Sequence, residues 1–320
     1  MSISKRESNI LKAISIISVI LAHAYGWANA YEGIPILSSY RLMGLFCQGG
    51  LTLFFFLSGY GVYQSFLAKG LKDYWNNKID KIYLPAALVQ LVWFIVAYYL
   101  NIYENGNFDT GSIAFLNILC VNPKNSLDGT MWFLSFLLCC YLSFYLVLRL
   151  IKDKRVAFLS MAIYWGVLSY YIGNIWELAV YYAPFFFIGT IVSAIFSTKH
   201  YHFSFRAAFI ITLLTGGLLV FYILFFFKKF IFFDTVAGLM VALLIYLLVR
   251  FVGEEKLVLL EWLGGYSFYI YLLEYKVIFA WIDYSKYTVL QRNMVIFFLF
   301  AVTLLLSFII KKVVNRLLLG

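Results

Sequence analysis

Apolar runs of about eighteen or more residues alternate with short, mostly basic, polar segments from one end of the chain to the other. Runs of that length suit helices that cross a hydrocarbon layer about 30 Å thick, and they exceed the roughly ten-residue strands of a membrane barrel. The pattern predicts about ten spanning helices, at 10–28, 44–66, 82–101, 130–150, 156–173, 177–197, 207–227, 231–251, 258–281 and 293–312. The expected fold class is all-α, a polytopic transmembrane helical bundle of about ten helices. It is read as a single membrane domain over 1–320 with no appended soluble domain. No internal repeat of solenoid period and no low-complexity linker interrupts it.

Composition sharpens that picture. Of the 320 residues, 64% are hydrophobic and only 12% charged, too few charges to coat a soluble domain. The formal net charge is +10, so the placement of the basic residues decides what it means. Eighteen of the 25 Lys and Arg fall on the side of the N-terminus, six on the opposite side, and Lys276 lies within a span. By the positive-inside rule both termini are expected in the cytoplasm, and the charge reports topology and not a nucleic-acid partner. Lys5, Arg6 and Lys12 before Ala22-His23-Ala24 also have the pattern of a cleavable signal peptide, but the uninterrupted Tyr25-Gly26-Trp27 continuation favours a retained helix.

Metal chemistry finds little support. The four cysteines, Cys47, Cys120, Cys139 and Cys140, form no Cys-x-x-Cys pair and have no His at ligand spacing. They are read as packing residues, with Cys47 and Cys120, both near outer ends, the one candidate pair for a bridge. His200 and His202 make a short His-x-His beside Lys199 and are read as solvated.

The first apolar run, Ile10 to Trp27, contains two ionisable residues, Lys12 and His23. Eleven helical steps return to within about 20° of the starting direction, so both side chains share one face, roughly 16 Å apart along the axis. A His in a span is either a hydrogen-bonded packing residue or a working group. A neutral imidazole has the basicity to take a proton from an attacking hydroxyl. Glu274, in the late span, is a candidate to orient that imidazole, following triad logic, or else a partner for Lys276, although two positions apart they face each other poorly.

Asp128 precedes the Thr130-Met131-Trp132-Phe133-Leu134-Ser135 entry to a span, and with Trp132 it is a candidate for a substrate pocket. Ser58 and Ser267 are conceivable relays or, more simply, small residues at helix contacts. Lys78 and Lys81, three apart before a span, either grip phosphate as point charges or anchor topology. The long outer segment 102–129, with Glu104, Asn107, Asp109, Asn122 and Asn125, suits carbohydrate or water.

Five stretches together carry a family resemblance: Leu11-Lys12-Ala13-Ile14 through Val19-Ile20-Leu21-Ala22-His23; Leu53 to Tyr60, read LFFFLSGY; Lys78 to Pro85, read KIDKIYLP; Thr130-Met131-Trp132-Phe133-Leu134; and Leu263 to Glu274, read LGGYSFYIYLLE. In order and spacing the chain resembles the integral membrane acyltransferase-3 family over nearly its full length. The resemblance implies an O-acyltransferase with acyl-CoA, usually acetyl-CoA, as donor substrate and no permanently bound cofactor. It implies a cell-envelope carbohydrate as acceptor, such as a capsule polysaccharide or its lipid-linked precursor.

It also places Lys12 and His23 in the family's functional pair; with the triad reading of Glu274 given above, His23 and Glu274 are the expected catalytic residues. Lys12, Lys78 and Lys81 would hold the donor, and Trp132, Asp128 and Ser58 would line the substrate pocket. Two departures stand out: Glu274 occupies a position where relatives often have His, and Lys78 and Lys81 replace a pair that is commonly Arg. The implied setting is a bacterial-type cytoplasmic membrane, crossed several times, with membrane lipid and the glycan-synthesis machinery as partners. The alternatives in other classes are a polysaccharide or solute transporter or flippase, and a non-catalytic partner of a glycan synthase.

Overall fold

The alternation of apolar runs and polar breaks folds as helices separated by short turns. The computed structural model describes residues 3–30, 40–100, 115–119, 128–153, 156–161, 177–198 and 231–319, together with Ile102, Ile163 and Leu214. Among the described residues every regular element is helical. The principal helices are α1 Lys5–Ala28, α2 Tyr40–Lys69, α3 Tyr74–Lys78, α4 Leu84–Tyr99, α5 Trp132–Leu150, α6 Glu177–Thr198, α7 Ile231–Val252, α8 Val258–Gly264, α9 Ser267–Glu274 and α10 Val289–Leu319. Two π-helical segments, Ile79–Tyr83 and Tyr275–Phe279, join α3 to α4 and extend α9.

Among the described residues, five helical stretches are long and apolar enough to cross a membrane: Lys5–Ala28, Gln48–Lys69, Tyr74–Tyr99, Trp132–Leu150 and Val289–Leu317. Pro184–Ile195 and Ala237–Val252 are apolar but shorter. Of the expected spans, 156–173 is described as helix at 156–161, and 207–227 lies, apart from Leu214, outside the described residues. The outer-segment residues Glu104, Asn107, Asp109, Asn122 and Asn125, the pair His200 and His202, Cys120 and the side chain of Cys47 also lie outside them.

Local chemistry accounts for several boundaries. Ser4 and Glu7 form a capping box: Glu7 N–H donates to the Ser4 hydroxyl at 3.0 Å, and Ser4 N–H donates to the Glu7 carboxylate at 2.7 Å. α1 ends at Asn29, whose φ of 44° is a left-handed cap that Asn tolerates better than most residues. The first π segment lies just before Pro85, near the start of α4. A proline has no N–H to donate and crowds the carbonyl four residues earlier, here Lys81, which favours a wider turn at that point.

The late stretch expected as one span, 258–281, is instead broken into α8, a turn at Gly265 and Tyr266, α9 and the second π segment. The pair Gly264-Gly265 supplies the break, since glycine is a poor helix former. Gly264 also has a packing reason: a Cβ there would overlap the backbone carbonyl of Asn9 on α1.

The chain forms two compact units. The first comprises Met1–Ser65, Pro184–Phe268 and Asp283–Phe297. Within it, Ile10 and Leu11 of α1 pack with Leu53 and Leu57 of α2 and with Ala242 and Val249 of α7. α1 is tied at both ends. At its start Glu7 pairs with Arg250 at 2.5 Å, Arg6 with Glu261 at 2.8 Å, and the Ser4 hydroxyl donates to Glu254 at 2.6 Å. At its far end Arg292 donates to the Asn29 carbonyl at 3.1 Å.

α2 and α6 cross with backbones in direct contact: a Cβ on Gly59 would overlap the Phe186 carbonyl, and one on Gly189 would overlap the Phe56 carbonyl. Gly59→Val is therefore expected to lower stability by about 3 kcal/mol or more, the upper range for overpacking. Thermal unfolding of the detergent-purified protein reads this directly, and an unchanged midpoint would contradict the crossing.

The second unit comprises Phe66–Ala183, Tyr269–Ile282 and Phe298–Gly320. An aromatic cluster joins α3 to α5: Tyr74 stacks on Phe144 with centroids 6.1 Å apart, and its hydroxyl donates to the Tyr141 carbonyl at 2.9 Å. On α4, Trp93 and Ala97 pack with Phe94, Ile102 and Ala280.

Candidate active site

The first unit holds Lys12, His23 and Ser58 among the expected site residues. α1 is one uninterrupted helix across Lys12 and His23, so the eleven-residue spacing translates into the expected shared face and about 16 Å of rise. Both side chains are half-buried. The His23 imidazole stacks on the Trp27 indole, one turn later, with centroids 4.4 Å apart and planes 22° apart. That stacking sets the plane of the ring. No carboxylate lies within ion-pair distance of Lys12 among the described residues. Ser58 is half-buried beside Gly59 at the α2–α6 crossing, a position that explains a small side chain on packing grounds.

The second unit holds Lys78, Lys81, Asp128, Trp132 and Glu274. Lys78 and Lys81 diverge. The Lys78 ammonium lies over the Tyr141 ring, 3.9 Å from its centroid, and 5.7 Å from the centroid of Tyr74, a cation–π arrangement. Lys81 is exposed. The α-helical neighbourhood expected for residues three apart is altered because Lys81 lies inside the π segment, whose wider winding turns each residue by less than an α-helix does.

Asp128 is fully buried and organises a polar cluster at the entry to α5. One carboxylate oxygen accepts from the Thr130 N–H at 2.8 Å and from the Thr130 hydroxyl at 2.5 Å. The other meets the Lys276 ammonium at 2.5 Å, with both side chains 3% or less exposed. The Tyr271 hydroxyl donates to the Thr130 carbonyl at 2.7 Å. In the sequence Lys276 enters only as an alternative partner for Glu274, and nothing marks Tyr271. Lys276 in fact pairs with Asp128, and Tyr271 is hydrogen-bonded to the same turn. The available signal was that Lys276 is the one basic residue that the charge count assigns to neither side.

Glu274 is fully buried at the last position of α9, where the π segment begins. Trp132 is half-buried at the first position of α5, 6.2 Å from the Tyr182 ring centroid. π segments recur at functional sites, and both of those found here adjoin expected site residues, one after Lys78 and one after Glu274.

Long apolar helices carrying buried ion pairs and polar side chains at helix contacts define a multi-pass membrane protein. The chain belongs to the acyltransferase-3 family, whose acyltransferase domain matches residues 6–312. It is accordingly a membrane acyltransferase. Comparison with curated proteins and with solved structures returns no match.

Proposed function

We propose that the protein is an O-acyltransferase that moves an acetyl group from cytoplasmic acetyl-CoA to a hydroxyl of a cell-surface polysaccharide or of its lipid-linked precursor. In this reading about ten helices span a bacterial-type cytoplasmic membrane and both termini lie in the cytoplasm. The observation that carries it is the unbroken α1, tied at both ends, with a cation and a proton acceptor on one face about 16 Å apart. That span is comparable to an extended pantetheine arm between its phosphate end and its thioester.

His23 takes the proton of the acceptor hydroxyl as the oxygen forms its bond to the thioester carbonyl carbon. The carbon–sulfur bond then breaks, and the departing thiolate receives the proton. Lys12, Lys78 and Lys81 supply positive charge for the phosphate-rich end of the donor, and Trp132, Asp128 and Ser58 shape the acceptor side. Buried Glu274 stabilises the charged form of a basic partner by the logic of catalytic triads. Family membership favours group transfer over the transport alternative.

Joint replacement Lys78→Gln and Lys81→Gln is expected to raise the KM for acetyl-CoA about tenfold or more, as loss of charge-assisted contacts would. An unchanged KM would return both residues to the role of topology anchors. Release of CoA by the purified protein, dependent on an added glycan acceptor, tests the overall reading. Acceptor flux without CoA release would overturn it in favour of transport.

A further inference from the structure

The polar atoms of two side chains on α4 enter none of the hydrogen bonds described so far. Gln90 is 2% exposed and Trp93 is 7% exposed, both inside the apolar Tyr74–Tyr99 stretch. Among the described residues, neither the amide oxygen nor the amide nitrogen of Gln90 has a hydrogen-bond partner, and neither does the indole nitrogen of Trp93. Three positions apart on an α-helix, they share a face and lie about 4.5 Å apart along the axis. Trp93 packs with Ala97, Phe94, Ile102 and Ala280. A buried amide left unsatisfied destabilises a fold, and leucine would fill the same space, so packing alone gives no reason for Gln90.

We propose that Gln90 and Trp93 form a subsite for the amide-bearing arm of an acyl thioester donor, an inference that rests on the acyl-CoA reading given above. The matching chemistry is that of a secondary amide. The Gln90 carbonyl accepts from an amide N–H, the Gln90 NH₂ donates to an amide carbonyl, and the Trp93 indole N–H donates to a second carbonyl. A pantetheine arm offers two such amides in series. The basic residues at the head of the same helical rod have the matching placement. Lys78 and Lys81 precede Gln90 by twelve and nine positions, so a donor whose phosphates lie near the head of the rod extends its amide-bearing arm along it toward Gln90.

The experiment compares acetyl-CoA with acetyl-pantetheine, which keeps the amides and lacks the nucleotide. In detergent-purified full-length protein, Gln90→Leu and Trp93→Phe are each expected to raise KM about tenfold for both donors with little change in kcat. Lys78→Gln is expected to raise it for acetyl-CoA alone. A KM unchanged by Gln90→Leu would overturn the subsite, and Gln90→Leu decides the matter if Trp93→Phe fails to fold. Failure of the wild type to turn over either donor would count against the functional reading and not against the subsite. In that case thermal stabilisation by pantetheine decides: stabilisation of the wild type that is lost in Gln90→Leu supports the subsite, and stabilisation equal in both, or absent from the wild type, overturns it.

Discussion

His23→Ala is expected to lower acyl transfer by about 10²–10⁴-fold, the range associated with loss of a positioned general base. His23 is half-buried and stacks on Trp27 of its own helix. The informative result is a fall in activity far larger than any change in unfolding accounts for. Transfer of radiolabelled acetyl from acetyl-CoA, measured on variant and wild type of equal thermal stability, provides the comparison. Undiminished transfer in a folded variant would end the assignment of His23 as base. A large rise in KM without a fall in kcat would assign it to donor binding instead.

The second large effect concerns stability. Asp128→Ala removes the counter-charge of a lysine that is 3% exposed, and with it the acceptor for the Thr130 N–H and hydroxyl. Breaking a buried pair by removing one partner costs about 3–5 kcal/mol, because the remaining charge stays desolvated. Removing both charges avoids that penalty, so Asp128→Leu combined with Lys276→Met is expected to recover most of the loss. Thermal midpoints of the single and double variants form the test. Equal destabilisation in both would mean that the pair is not coupled. A double variant that is stable but inactive would assign the cluster a part in shaping the site.

Legibility in the sequence varied with the range of the interaction responsible. The far end of α1 was legible in the continuous apolar run 10–28, whereas its first turn from Lys5 lies in a polar stretch, started by a Ser4–Glu7 capping box that the apolar pattern does not register. The Lys12–His23 relation followed from the fixed rise and twist of a helix. The break in the late span had a local signal in Gly264-Gly265, but its packing reason, contact with Asn9, comes from 255 residues away.

The Asp128–Lys276 pair bridges 148 positions, beyond the reach of any periodicity, and only the oddity of a lysine within a span pointed to it. The divergence of Lys78 and Lys81 was hidden because an α-helical register was assumed where a π segment intervenes. Gln90 and Trp93 read as ordinary members of an apolar run. That their polar atoms lack hydrogen-bond partners among the described residues becomes visible only when the surrounding helices are in place.

The two π segments also bear on how the chain tolerates changes in length. A π turn holds one residue more than an α turn over the same hydrogen-bonded loop. Deleting a single residue between Ile79 and Tyr83 would let the ladder close in α register. Four α residues turn the chain about as far as five π residues do, so the aromatic seat of Lys78 and the face carrying Gln90 and Trp93 would keep nearly the same phase. A one-residue deletion, which in a regular α-helix twists all that follows by about 100°, is absorbed at these two places.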